Sequence, residues 1–419
     1  MIGKVLPALF ALALSVQAAL AANCTGYPLP YNLTNGQTAD ATQVMANFND
    51  VINCVNALSA VTGPASSVAG HLATFADTSG KVLQDGGPFS ISAQNLASSA
   101  VALGVTMLNG TIVPSNASNA LTFTIQTLAG ATPSATDPVY FVFRNASAGT
   151  GNYSVISVTA ALSVTVPTSS TLGFSNNTPG RIWVVAINNS GTIELAVINC
   201  LTSTSTSKSI YPLAGWGIVN TTALGGPSNS SGVFYSTIAR SAVPYGVLGY
   251  ASYETGLATA GTWNANPTRM ELYRPGVPLP GAVVQVVYST TTTTTTINST
   301  ANTATALTGS ITPTSAINPV KVSVFAGTTS TANTFAFFQI YRNTGATAIG
   351  NLGHTATGGT VSNHMTVALF AFDNPQSTSS VQYGVYGKQS SGTQTTVFLG
   401  TADSVPTNTG VITIEEIMG

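Results

Sequence analysis

The sequence predicts a mainly β protein with one N-terminal helix, a central β-rich domain and a C-terminal β-sandwich or jelly-roll-like domain. Three observations carry this. Beyond residue 62, apolar residues alternate with period two in run after run, the spacing that lines one face of a strand. No helical period longer than two turns occurs in that stretch, which excludes βαβ architecture and leaves sandwiches or rolls. Clusters such as Asn176-Asn177-Thr178-Pro179-Gly180 and Asn188-Asn189-Ser190-Gly191 separate the runs and supply the residues that turns require.

The helix begins at Asp40. With Gln43 three residues on, Asp40 makes a capping-box-like start, and Val44, Phe48, Val51, Val55 and Leu58 then recur at spacings of four and three. Those five form a heptad seam, widened by Met45 and Ile52, while Asn47, Asn49, Asp50, Asn53 and Asn56 cover most of the remainder. This pattern serves either a short trimeric coiled coil or an amphipathic helix packed on its own domain. Thr62-Gly63-Pro64 ends it.

Strands follow in order. Leu121, Phe123 and Ile125 share one face; Val139, Phe141 and Phe143 another; Tyr153 to Val158 and Ile193, Leu195 and Val197 make two more. The run Ile182 to Ile187 hardly alternates, so it reads as a central strand covered on both faces. Three prolines within Pro275-Gly276-Val277-Pro278-Leu279-Pro280 mark a boundary, because such a segment neither pairs in a sheet nor continues a helix. Beyond it seven strands are expected: 282–288, 320–326, 335–341, 365–372, 381–386, 395–399 and 411–417. The threonine run Thr290 to Thr296 reads as an extended edge or loop.

The first residues resemble an export signal, with Lys4 before an apolar core from Val5 to Leu14 and a small-x-small pattern at Ala19-Leu20-Ala21. The resulting organisation is a signal peptide over 1–21, the helix segment over 22–62, a linker with short β structure over 63–88, the central domain over 89–280 and the sandwich over 281–419. In an exported chain Cys24 and Cys54 are candidates for a disulfide with Cys200 left over, the alternative being three free buried thiols. After signal cleavage no stretch is long and apolar enough to be expected to insert in a membrane.

Composition narrows the function. Charged residues make up 5% of the chain, against roughly a quarter in an ordinary soluble domain. A net charge of −1 with basic residues scattered singly offers no stripe for nucleic acid or anionic lipid. The hydrophobic share of 44% excludes the disordered class. No catalytic constellation, metal site or cofactor motif is found. His71, His354 and His364 lie far apart without ligand spacing, and Ser79-Gly80-Lys81-Val82 lacks the frame of a phosphate loop. Glu415 and Glu416 are adjacent on an expected strand, so they point to opposite faces and cannot flank one glycosidic bond. Asp373, Glu254 and Glu271 are the carboxylates a glycosidase would have to assemble between subunits. Arg181 and Arg342, each beside a strand, suit capping of carbonyls or pairing with an acid. Trp216, Tyr253, Trp263 and Tyr273 are candidates for stacking on sugars, while the usual burial tendencies favour a sandwich core or a subunit interface for any single one.

Several phrases resemble bacteriophage and prophage tail-fibre or virion-surface proteins. They include the run from Thr38 to Asn49, the run from Gly70 to Gly87, Pro280-Gly281-Ala282-Val283-Val284-Gln285-Val286-Val287, Ser310-Ile311-Thr312-Pro313-Thr314-Ser315, Tyr341-Arg342, Asp373-Asn374-Pro375 and Ile412-Thr413-Ile414-Glu415-Glu416-Ile417. The stretch from Ala120 to Leu201 is similar to a β-rich module of such chains. What the resemblance implies is a fibrous or knob-like homotrimer, without catalytic residues, whose β-domains meet a host-surface glycan or protein. The export signal leaves a second destination open, a secreted bacterial structural protein or adhesin of prophage origin. A tailspike-like depolymerase is the third and weakest reading.

Overall fold

The period-two alternation becomes strands almost everywhere it occurs. The computed structural model describes residues 30–31, 40–57, 71–75, 83–88, 104–144, 153–203, 208–225, 227–330, 335–343, 345, 347–356, 363–391, 394–399 and 408–419. The chain divides into two units, Met1–Ser92 and Ala93–Gly419.

In the first unit the helix Ala41–Ala57 starts where the sequence places it. The Asp40 carboxylate accepts the Thr42 amide at 2.9 Å, satisfying one of the donors that a helix N-terminus leaves open. Asn47 holds Tyr31 through both ends of its amide, accepting from the Tyr31 N–H at 3.1 Å and donating to its carbonyl at 2.8 Å. A hairpin pairs His71–Phe75 with Leu83–Pro88. The signal segment 1–21, Cys24 and Leu58 lie outside the described residues, as do the side chains of Cys54 and Val55.

The second unit contains two sandwiches. In the first, the strands Gly180–Asn189, Thr192–Ile198 and Val243–Tyr253 form the middle of one sheet. Trp216–Val219 and Arg269–Leu272 share the free edge of Val243–Tyr253, while Tyr235–Ser236 and Thr222–Ala223 lie beyond Thr192–Ile198. This sheet is buried on both sides, which explains the continuous apolar run at 182–187. Ile182, Val184 and Ala186 pack with Leu121, Phe123 and Phe141 from the smaller sheets. Trp183, Val185 and Ile187 pack on the other side with Ile198, Tyr245 and Met418.

The second sandwich is a jelly roll. Its eight long strands are Val283–Thr291, Thr303–Ile311, Val320–Ser330, Phe335–Arg342, Thr347–Ala356, Asn363–Asp373, Val381–Gln389 and Gly410–Ile417. One sheet carries them in the order first, eighth, third, sixth, and the other in the order second, seventh, fourth, fifth. All these pairings are antiparallel. Eight strands interleaved between two sheets in this way define the jelly-roll architecture. The short strands Thr396–Phe398 and Thr295–Ile297 extend the first sheet beside the eighth strand, so the threonine run ends one strand and begins another. Val322, Val324, Phe338, Val385, Ile412 and Ile414 fill the space between the sheets.

Phe335 and Phe338 share a strand and differ in burial, 47% exposed against 0%. Phe338→Ala should therefore cost about 3–5 kcal/mol of stability, the usual value for emptying an aromatic site in a core, and Phe335→Ala close to nothing. Denaturant melts of the two variants check this, and equal losses would contradict the packing described.

Candidate functional site

The outward face of the jelly roll's first sheet carries Val286, Tyr288, Phe325, Phe370 and Phe372, all exposed. Because side chains alternate, the core takes Val322, Val324, Ile412 and Ile414, and their neighbours point out. Pairing register arranges those neighbours in three rows. Val286 lies opposite Glu415, Glu415 opposite Lys321 and Lys321 opposite Phe372. Tyr288, Thr413, Ser323 and Phe370 form the second row, and Thr290, Val411, Phe325 and Ala368 the third. Tyr288 is 73% exposed, Phe370 71% and Phe325 61%. Burying such side chains is worth roughly 1.5–3 kcal/mol each, so leaving them in water marks a contact surface. The Lys321 ammonium meets the Glu415 carboxylate at 2.7 Å in the first row.

A cleft of about 400 Å³ opens at the end of this face. Val283, Phe372, Ile417 and Pro319 line it from the jelly roll, and Leu201 and Ile210 from a hairpin of the first sandwich. The Lys321 and Glu415 pair also borders it. Its chemistry is that of a mostly apolar slot with one neutralised ion pair at the rim.

Behind the cleft the two sandwiches are joined through Arg181. Its side chain is buried and donates to the Gly419 main-chain oxygen at 2.6 Å, Asn318 Oδ1 at 3.1 Å, Ser315 Oγ at 3.2 Å and Ser252 Oγ at 3.3 Å. The guanidinium carbon lies 4.7 Å from the centre of the Tyr250 ring, a stabilising cation–π placement. Loss of water pushes the Arg181 pKa down to about 10, with Tyr250 and Glu254 opposing that shift. At neutral pH the group is therefore still a cation. Ser315 passes the connection on by donating to both oxygens of Glu254 at 2.9 and 3.0 Å, and the Ala316 amide donates to the same carboxylate at 2.8 Å. On the other side of the loop, Glu416 accepts from the Thr314 amide at 2.8 Å, from Asn318 at 2.7 Å and from Gln285 at 2.6 Å.

The other described carboxylates of this unit are held in the same way. Glu194 takes a two-pronged pairing from Arg240. Glu271 lies between Arg269 and Arg274, and the hydrogen bond from Arg269 holds its pKa below the ordinary carboxylate value. Asp373 accepts from Arg342 at 3.1 Å and from the Tyr383 hydroxyl at 2.9 Å, and Asp137 accepts from Asn109 at 2.7 Å. Glu254, Glu271 and Asp373 are thus occupied within the subunit. Glu415 faces out and Glu416 in.

Of the aromatic candidates for sugar stacking, the structure places two in the core, the role that burial tendencies favour. Trp263 and Tyr253 are core residues, packed against each other and against Phe174 at centroid distances of 5.5–6.1 Å. Trp216 is half-buried, edge-on to Tyr153, and donates its indole N–H to the Val142 carbonyl at 3.2 Å. Tyr273 packs on the second face of the central sheet. Large rings win more from a sandwich interior than from solvent, and their polar ends find partners there. In the helix seam, Phe48 and Val51 are exposed and Val44 is half-buried. Neighbouring Met45 and Ile52 are also exposed.

No protein-family model matches the chain, and no curated protein matches it. Among solved structures, it is similar to the infectious bursal disease virus particle of the Gx strain, with 11% identity, a TM-score of 0.22 and 75% of this chain and 78% of that chain covered. The VP2 subviral particle of the same virus matches with 11% identity, a TM-score of 0.19 and coverages of 75% and 82%. The insecticidal delta-endotoxin Cry8Ea1 from Bacillus thuringiensis matches with 10% identity, a TM-score of 0.21 and coverages of 75% and 53%. Scores this low carry no functional statement.

Cys200 is free and buried, and burial pushes its thiol pKa up. Since the thiolate is the reactive form, an alkylating reagent should leave Cys200 untouched in the native protein and modify it after denaturation. Labelling of Cys200 at native pH 8 without denaturant would contradict this placement.

Proposed function

We propose that this chain is a virion-surface type structural and attachment protein that acts as a homotrimer and binds a host-surface glycan or protein without catalysis. The observation that carries the reading is how the charge is used. In a chain with 5% charged residues, each described carboxylate of the second unit is tied to a partner within the subunit, which leaves a neutral β block whose first jelly-roll sheet exposes Tyr288, Phe325 and Phe370. Such a block is suited to assembly and adhesion. It is poorly suited to a glycosidase, which needs two carboxylates free to face one bond.

Three further features support it. The exposed apolar seam of Phe48 and Val51 matches a helix that meets copies of itself. The jelly roll is an architecture used by viral capsid and lectin domains. The tail-fibre-like phrases at 280–287 and 310–315 fall on the start of the first jelly-roll strand and on the end of the second strand with the loop after it, which contacts the first sandwich through Arg181 and Glu254. The export-like segment favours a second reading, a secreted bacterial structural protein or adhesin of prophage origin, for which the assembly and the adhesive chemistry are the same.

Binding by such a surface rests on stacking and neutral hydrogen bonds, with three linked sites raising avidity roughly a hundredfold over one. Long-range attraction contributes little, so affinity should change little with salt. The test is retention of the full protein on host cells or a glycan array at 50 mM and 500 mM salt, alongside light scattering. The expected result is three chains and similar retention at both salts. Retention lost at high salt, or release of oligosaccharide during incubation, would contradict the reading.

A further inference from the structure

Resting on the reading of this chain as a self-assembling protein, we propose that the outward face of the sheet formed by Val283–Thr291, Gly410–Ile417, Val320–Ser330 and Asn363–Asp373 is the contact between copies. The occupant of that face is the same chain: the three copies of a trimer bring this face together around their three-fold axis.

Size is the first reason. Four strands about 4.8 Å apart, each about nine residues long at about 3.3 Å per residue, span roughly 19 by 30 Å. That is roughly 570 Å² in projection, and more in accessible area once side chains protrude, which approaches the ~800 Å² per partner of a standard stable interface. A glycan needs only a fraction of that surface.

Charge is the second reason. When identical surfaces meet around a symmetry axis, like charges are brought together unless each surface is neutral by itself. The charged groups in the three rows are Lys321 and Glu415, and they neutralise each other within one subunit at 2.7 Å. Three copies of the face can therefore gather around one axis without repulsion. A partner of opposite charge would find no net field to recognise.

Chemistry is the third. Val286, Tyr288, Phe325 and Phe370 are each more than half exposed and stand on all three rows. The rest of each row is Thr, Ser, Ala or Val, apart from the ion pair and Phe372. Aromatics interleaved with small residues give a surface of knobs and hollows that can interdigitate with a rotated copy, as the inner faces of packed sheets do. The cleft beside Phe372 lets the contact deepen at one end.

The test compares wild type with Phe325→Asp/Phe370→Asp, with Lys321→Glu, and with the swap Lys321→Glu/Glu415→Lys, all as full-length chains. Association is followed by light scattering across concentration, and far-UV circular dichroism confirms the fold. The wild type should be trimeric at micromolar concentration. The double aspartate variant should shift assembly to at least a hundredfold higher concentration with unchanged circular dichroism. Lys321→Glu should weaken assembly at least tenfold, because like charges then meet at the axis, and the swap should restore it. If the double aspartate variant misfolds, the Lys321→Glu and swap pair decides alone. Wild-type assembly in both the double aspartate variant and Lys321→Glu overturns this inference and leaves the trimeric reading standing. A trimer that assembles normally but loses glycan or cell retention on Phe325→Asp/Phe370→Asp also overturns it and makes the face a receptor site. A monomeric wild type removes both.

Discussion

One buried cation organises the second unit. Arg181 sits on a central strand of the first sandwich, and its guanidinium reaches the Gly419 oxygen, Asn318 and Ser315 on the far side of the junction. A cation taken out of water is costly unless its hydrogen-bonding capacity is filled. This requirement fixes the geometry of the neighbours. Ser315 must present its hydroxyl to Arg181 and to Glu254 together, and Asn318 must offer its oxygen to Arg181 and the Gly419 amide while donating to Glu416. The loop 312–319 is thereby clamped from both sandwiches, and the cleft and the outward sheet face take their position from it.

The same economy of charge shapes the surface. With so few ionisable groups, those described in this unit are used to hold the structure, and solubility falls to hydroxyls, amides and backbone. The opposite sheet of the jelly roll turns a mixed surface outward, on which Phe335 and Leu352 are also exposed. Thr308, Gln339, Gln382 and Lys388 stand out from strands whose Leu307, Phe338, Ile340 and Val385 face the core. On the first sheet Phe325 and Phe370 are more exposed still, at 61% and 71%, and nothing in the strand pattern requires aromatics on a solvent face.

Much of the fold was legible because burial writes itself as period two. Leu121, Phe123 and Ile125 alternate with threonines and are fully buried, and the run 182–187 loses its alternation because both faces of its sheet are covered. Among the eight long jelly-roll strands, the two that leave no clear pattern, Thr303–Ile311 and Thr347–Ala356, are built from Thr, Ala, Gly and Asn with few large apolar side chains. Sheet pairing and the neighbouring core hold them extended, and local pattern carries little of that. The candidate site was less legible still. Period two says that Phe370 and Leu369 point to opposite sides, but only the register between distant strands says that Phe370 shares a row with Tyr288. Arg181 beside its strand is legible as structural, yet its hydrogen-bond partners lie 71 to 238 residues away along the chain. Trp263 and Tyr253 were open to either role because a large aromatic in a neutral chain looks the same to sequence in a core or on a binding surface.

If Arg181 couples the sandwiches, their cores must unfold together. Differential scanning calorimetry of the wild type against Arg181→Met tests this most directly. Removing one member of a buried polar cluster costs about 3–5 kcal/mol, and here that loss falls on the junction. The wild type should lose both cores in one cooperative transition, and Arg181→Met should melt earlier and in two steps, one for each sandwich. Two separate transitions in the wild type, or an unchanged single transition in Arg181→Met, would contradict the account.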